Sequence, residues 1–131
     1  MNYYDKASEE MITPQPSPLK GIEGSDAWLD GILFAEGAFS LVSDPGEKHV
    51  AAQVLKDMRQ RRQMGIDKYG TPLQYATNRD NVIDQYQEDL DGYVYGTAAV
   101  NAPNELTEEQ RETIKEIRKL RLRILMMTRS L

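Results

Sequence analysis

Cysteine is absent from this chain, and histidine occurs once, at His49. These absences exclude disulfide frameworks, thiolate zinc sites, cysteine nucleophiles and histidine-based catalytic triads, so any metal must rest on oxygen ligands. Long hydrophobic runs are missing as well. The most apolar stretch, from about Ala27 to Val42, is interrupted by Asp30, Glu36 and two glycines. That pattern supports neither a membrane span nor a secretory signal, and a soluble cytoplasmic protein is the expectation. Only one tryptophan and two phenylalanines are present, beside seven tyrosines.

What is there amounts to one domain's worth of residues: 131, of which 40% are hydrophobic and 28% charged. Such a chain can build a modest core, and compact helices are the simplest architecture for it. The formal charge of -5 is unevenly placed, with residues 1–58 at -6, residues 59–103 at -1 and residues 104–131 at +2. Net acidity argues against nucleic acid as a partner. The basic strip from Lys115 to Arg129 reads as a solvated face, as most charge runs do.

Punctuation divides the chain. Thr13-Pro-Gln-Pro-Ser-Pro18 favours extended polyproline geometry, so residues 1–24 are expected to form an extended or disordered arm. Residues 25–131 then form a single helical domain, all-α and four-helix-bundle-like. Its helices are predicted near residues 26–40, 45–64, 79–101 and 106–130, with caps at Ser25, Asp44, Asn78 and Thr107. Apolar spacing puts Trp28, Ile32, Ala35 and Phe39 on one face of the first helix, and Val50, Val54, Leu55 and Met58 on one face of the second. Thr107 followed by Glu108, Glu109 and Gln110 is a capping-box signature. Beyond it, Ile117, Leu120, Ile124, Met127 and Leu131 form a narrow heptad-like seam, suited to a partner helix in the bundle or in another subunit, so a homo-oligomer is expected.

The third helix carries the most informative constellation. At about 100° per residue, Asp80, Asp84, Glu88, Asp91 and Tyr95 fall within a stripe of roughly 80°. Val82, Ile83, Tyr86, Leu90, Tyr93 and Val94 cluster on the other side. No basic residue occurs between Asp80 and Asn101. A row of carboxylates repels itself unless water screens it or a cation bridges it, and Mg²⁺ suits it by taking one or two carboxylates plus water and phosphate oxygens. The alternative is a solvated outer face. Upstream, Arg59, Arg61, Arg62 and Lys68 form the only dense basic cluster before the tail, which is what a phosphate-plus-metal site needs. His49 reads as a first-turn or solvated residue, and Trp28 as a core anchor. Tyr93 falls on the apolar side, whereas Tyr95 falls on the acidic side, where it can stack on a base.

The run Arg61-Arg62-Gln-Met-Gly65-Ile-Asp-Lys68-Tyr69-Gly70-Thr71, followed by Tyr86-Gln-Glu88-Asp-Leu-Asp91-Gly-Tyr-Val-Tyr95, resembles small bacteriophage proteins related to the MazG-type all-α nucleoside triphosphate pyrophosphohydrolases. The resemblance covers about residues 50–100. It implies an all-α, Mg²⁺-dependent enzyme that splits a nucleoside triphosphate into monophosphate and pyrophosphate. On that reading Glu88 and Asp91 are catalytic, Asp84, Glu88 and Asp91 hold the metal, and Arg62, Lys68, Tyr69 and Tyr95 meet the nucleotide and its phosphates. The family's Glu-Glu-x-x-Glu cluster does not precede the matched helix. The only such string, Glu108-Glu109-Gln-Arg-Glu112, lies downstream in the capping box. A second reading therefore stands beside the enzyme: a non-catalytic phage protein in the host cytoplasm, using the same scaffold to bind a nucleotide, a nucleotide-derived signal or a host protein.

Overall fold

The computed structural model describes residues 2–131, and every regular element in that range is an α-helix: α1 (Ser8–Ile12), α2 (Ala27–Phe39), α3 (Pro45–Tyr69), α4 (Asn81–Asn101) and α5 (Glu108–Arg129). The all-α expectation holds. The helices gather into two compact units, one of residues 18–78 and the other of residues 2–17 with 79–131. The described part of the expected extended or disordered arm, residues 2–24, contains the short helix α1 and is divided between the two units at residue 18.

In the unit of residues 18–78, α2 packs against α3. The α2 N-cap is Asp26, not Ser25: its side chain accepts from the Leu29 amide at 2.9 Å. Ser25 is diverted, because its hydroxyl donates to the Ile22 carbonyl and accepts from the Tyr75 amide. Trp28, Ala35 and Phe39 are half-buried and Ile32 is buried, which is the expected face. Helix α3 starts where Asp44 and Pro45 place it, with Asp44 accepting from the Glu47 amide at 2.9 Å. It runs past Met64 to Tyr69 and ends on Gly70 at a φ of 82°. Gly65, just beyond the predicted end near residue 64, lies inside the helix; a glycine costs an interior turn only about 1 kcal/mol. On the packed side of α3 Ala51 is buried, while Val50, expected in the core, is exposed. After α3 the chain returns alongside residues 19–27, with the Ile22 amide on the Tyr75 carbonyl and the Ala27 amide on the Leu73 carbonyl, both at 2.9 Å.

In the other unit, α4 and α5 form an antiparallel pair. Arg111, Arg118 and Arg121 of α5 meet Val100, Thr97 and Asp89 of α4, so residue numbers rise along one helix as they fall along the other. Close approach depends on Gly92 and Gly96. A Cβ at Gly92 would strike the Arg121 guanidinium, and one at Gly96 would strike the Arg118 stem. The N-terminal segment belongs to this unit and is tied down. Met11 in α1 is completely buried, the Tyr3 and Tyr4 amides donate to the Leu131 carbonyl, and Arg129 donates to the carbonyls of Tyr3 and Lys6. Thr13 to Lys20 has no regular structure, as the prolines require. The sequence reading missed the anchor because Met11 is one apolar residue with no periodic partners.

Candidate functional site

The acidic stripe begins at the N-terminus of α4. Asp80, not Asn78, caps the helix, and its side chain accepts from the amides of Val82 at 3.0 Å and Ile83 at 3.1 Å. The same carboxylate accepts from the Tyr3 hydroxyl at 2.9 and 3.0 Å. Partial burial, reinforced by that carboxylate, raises the Tyr3 pKa.

One turn later, both oxygens of Asp84 are engaged. Arg79 donates Nη2 to Oδ1 at 2.6 Å and Nε to Oδ2 at 3.0 Å, and Gln15 donates to Oδ1 at 2.6 Å. The Arg79 hydrogen bonds hold the Asp84 carboxyl below the usual carboxylate range, against an opposing effect of burial. Gln15 also bridges the Asp80 backbone, donating to its carbonyl and accepting from its amide, each at 2.7 Å. Further along α4, Gln87 donates to the carbonyls of Met11 and Thr13. The first half of the stripe thus serves as the mooring of the N-terminal segment. Sequence reasoning missed Gln15, Arg79 and Tyr3. Arg79 was legible, lying one residue before the window that contains no base.

Glu88 and Asp91 stand apart from this network. Both are exposed, and neither makes an ion pair with another of the described residues. Tyr95 is 71% exposed, as its place on the acidic side predicts, while Tyr93 is half-buried. The remaining carboxylate of this turn, Asp89, pairs with Arg121 at 3.1 Å. Among the described residues no group of three or more His, Cys, Asp or Glu side chains is placed to hold a metal ion. Of the three carboxylates that the resemblance implies for Mg²⁺, Asp84 is committed to Arg79 and Gln15, which leaves the pair Glu88 and Asp91 within one chain.

Of the residues expected to meet the nucleotide and its phosphates, Arg62, Lys68 and Tyr69 lie in the unit of residues 18–78, and Tyr95 lies in the other with the stripe. Arg62 is occupied. Its Nε and Nη2 both donate to Asp26 Oδ2, at 2.9 and 2.7 Å, which locks α3 to the capping residue of α2 and holds the Asp26 carboxyl below its usual range. Arg59 pairs with Glu36. Lys68 is exposed, its ammonium 5.1 Å from the centre of the Tyr69 ring. His49 is exposed.

Helix α5 presents a different kind of surface. Toward α4 it turns Arg111, Ile114, Arg118, Arg121, Leu125 and Thr128, the last two buried. About 100° around the helix lies the seam expected from sequence, and it is uncovered: Ile117 is 46% exposed, Leu120 58%, Ile124 41% and Met127 70%.

The fold defines a small all-helical protein built from two units, with a moored N-terminal segment and an open apolar face on its last helix. No protein-family model matches the chain, and no curated protein and no solved structure matches it either. No helix among the described residues is long and apolar enough to cross a membrane.

Proposed function

We propose that this protein is a non-catalytic helical binding protein whose working surface is the apolar seam of α5. The observation that carries this reading is the exposure of Ile117, Leu120, Ile124 and Met127 beside a face of α5 already filled by α4. Contiguous apolar surface of this kind on a small protein marks a place where another macromolecule sits. The seam is rimmed by charged side chains, as interaction faces commonly are.

The second reading follows the resemblance: a Mg²⁺-dependent nucleoside triphosphate pyrophosphohydrolase of phage origin. What favours it is the pair Glu88 and Asp91, exposed and one turn apart, with exposed Tyr95 one further turn along. It requires additional carboxylates from another chain.

Pyrophosphate release separates the two. With Mg²⁺ and each common ribo- and deoxyribonucleoside triphosphate, the expected result is no turnover and no Mg²⁺-dependent rise in melting temperature, since a cation that binds only the folded state would raise it. Turnover that disappears in the double variant Glu88→Gln, Asp91→Asn would establish the enzyme and defeat the binding reading.

A further inference from the structure

We infer that the occupant of the α5 seam is a second copy of this chain, docked antiparallel, so that two α4–α5 pairs make a four-helix bundle about a two-fold axis. This inference rests on the binding reading of that seam and names its partner.

The argument is one of charge order. Beside the apolar seam, on the flank away from α4, the positions at about 100° per residue are Glu109, Glu112 and Glu116, then Lys119 and Arg123. The sign changes once along the helix, acidic toward its N-terminus and basic toward its C-terminus. In a parallel pair the two-fold axis runs along the helices, so this flank would face the opposite flank of the partner, which carries no matching charge order. Antiparallel copies bring the same flanks together in reverse order, so the acidic half of each lies along the basic half of the other.

These charges are available for that use. Among the described residues they make exposed pairs, Glu112 with Lys115 at 2.8 Å and Glu116 with Lys119 at 3.2 Å, and pairs of this kind hold their partners weakly. The opposite flank of the seam is not free. There Arg121 is committed to Asp89 of α4, so the self-complementary flank is the one that decides orientation. The apolar seam supplies the attraction and the flank supplies the direction. A two-fold contact of this sort is closed, which limits the assembly to two chains at this face.

The test uses the full chain. Light scattering and sedimentation at tens of micromolar should give twice the chain mass of 14.9 kDa. The double variant Leu120→Asp, Ile124→Asp replaces side chains outside the α4 contact. It should keep its helical circular dichroism while the dimer dissociation constant rises on the order of 100-fold or more. Orientation is read by charge exchange: Glu116→Lys alone should weaken the dimer, and Glu116→Lys with Arg123→Glu should restore it. Because the chain has no cysteine, introduced thiols report geometry directly. A mixture of Glu116→Cys and Arg123→Cys chains should cross-link to each other, and Glu109→Cys chains should not cross-link among themselves. Efficient self-cross-linking of Glu109→Cys overturns the antiparallel arrangement. A monomer at these concentrations overturns the dimer altogether, while leaving the binding reading in place for a partner of another kind. Metal-dependent turnover is what would defeat that underlying reading, so the two failures are distinct.

Discussion

Asp84 shows how one residue can change role between sequence and structure. As a member of a carboxylate row it looks like a cation ligand; in the structure its two oxygens are taken by Arg79 and Gln15. The row looked unbalanced because its partners lie outside the helix that carries it. Arg79 stands just before α4, and Gln15 and Tyr3, which hold Asp84 and Asp80, come from the N-terminal segment. Arg62 is the matching case on the basic side, a cation that caps a helix contact instead of waiting for phosphate. A prediction belongs at this scale. The Gly21 amide donates to Gln74 Oε1 at 2.9 Å, and a Cβ at Gly21 would collide with the Tyr75 backbone carbonyl oxygen. Gly21→Ala should therefore destabilise the protein by about 1–3 kcal/mol, because backbone cannot swing aside as a side chain can. Urea denaturation measures the loss, and an unchanged midpoint would show that the Gly21 segment is not held as described.

At the scale of elements, the helices were largely legible and their ends only partly so. Asp44 and Thr107 cap as their sequences say, since each signal is complete within four residues. Ser25 and Asn78 were the wrong caps for a physical reason: polar side chains nearby compete for the same role. Ser25 is drawn to Ile22 and Tyr75, and Asn78 accepts from the Leu19 amide, so the neighbouring aspartates take over. The α5 start is the best defined. Thr107 Oγ1 accepts from the Gln110 amide at 3.1 Å while Gln110 Oε1 accepts from the Thr107 amide at 2.9 Å. Thr107→Ala removes one half of this reciprocal pair and should cost about 1 kcal/mol, read as a lower thermal midpoint. Faster hydrogen exchange in the first turn of α5 should accompany it, with the α5 C-terminus unaffected.

For the molecule as a whole, acid should be the destabilising condition. Asp26 and Asp84 both have folded-state pKa values below the ordinary 3.8, chiefly through hydrogen bonds from Arg62 and Arg79. As pH falls, the unfolded chain takes up these protons first. The stability that the two ion pairs contribute is therefore fully present above the ordinary value and is lost as pH drops through the depressed folded values. Melting temperature should hold from neutral pH down to about 5 and then fall below about 4. Asp84→Asn should flatten part of that fall, and an identical acid profile in this variant would show that the Arg79 pair contributes nothing. Among the described residues the buried hydrophobic members are few, Met11, Ile32, Ala51, Ile83 and Leu125, while Phe34 and Leu41 of the unit of residues 18–78 are exposed.

Sequence alone determined that this chain is helical, roughly where its four longer helices lie but not α1, which face of α2 turns inward, and that Tyr95 faces out where Tyr93 does not. Periodicity and capping are local properties, readable within a few residues of where they act. It also determined what α5 has to offer: an apolar seam and a flank whose charge changes sign once. Tertiary structure decided which face of α5 is used. The seam is the more apolar choice, yet α4 takes the face bearing Arg111, Arg118 and Arg121, because Gly92 and Gly96 open room for arginine stems and Val100, Thr97 and Asp89 receive their ends. It decided likewise that the acidic stripe moors the N-terminal segment. Both outcomes depend on what stands opposite a residue across space, and a one-dimensional pattern carries no record of that.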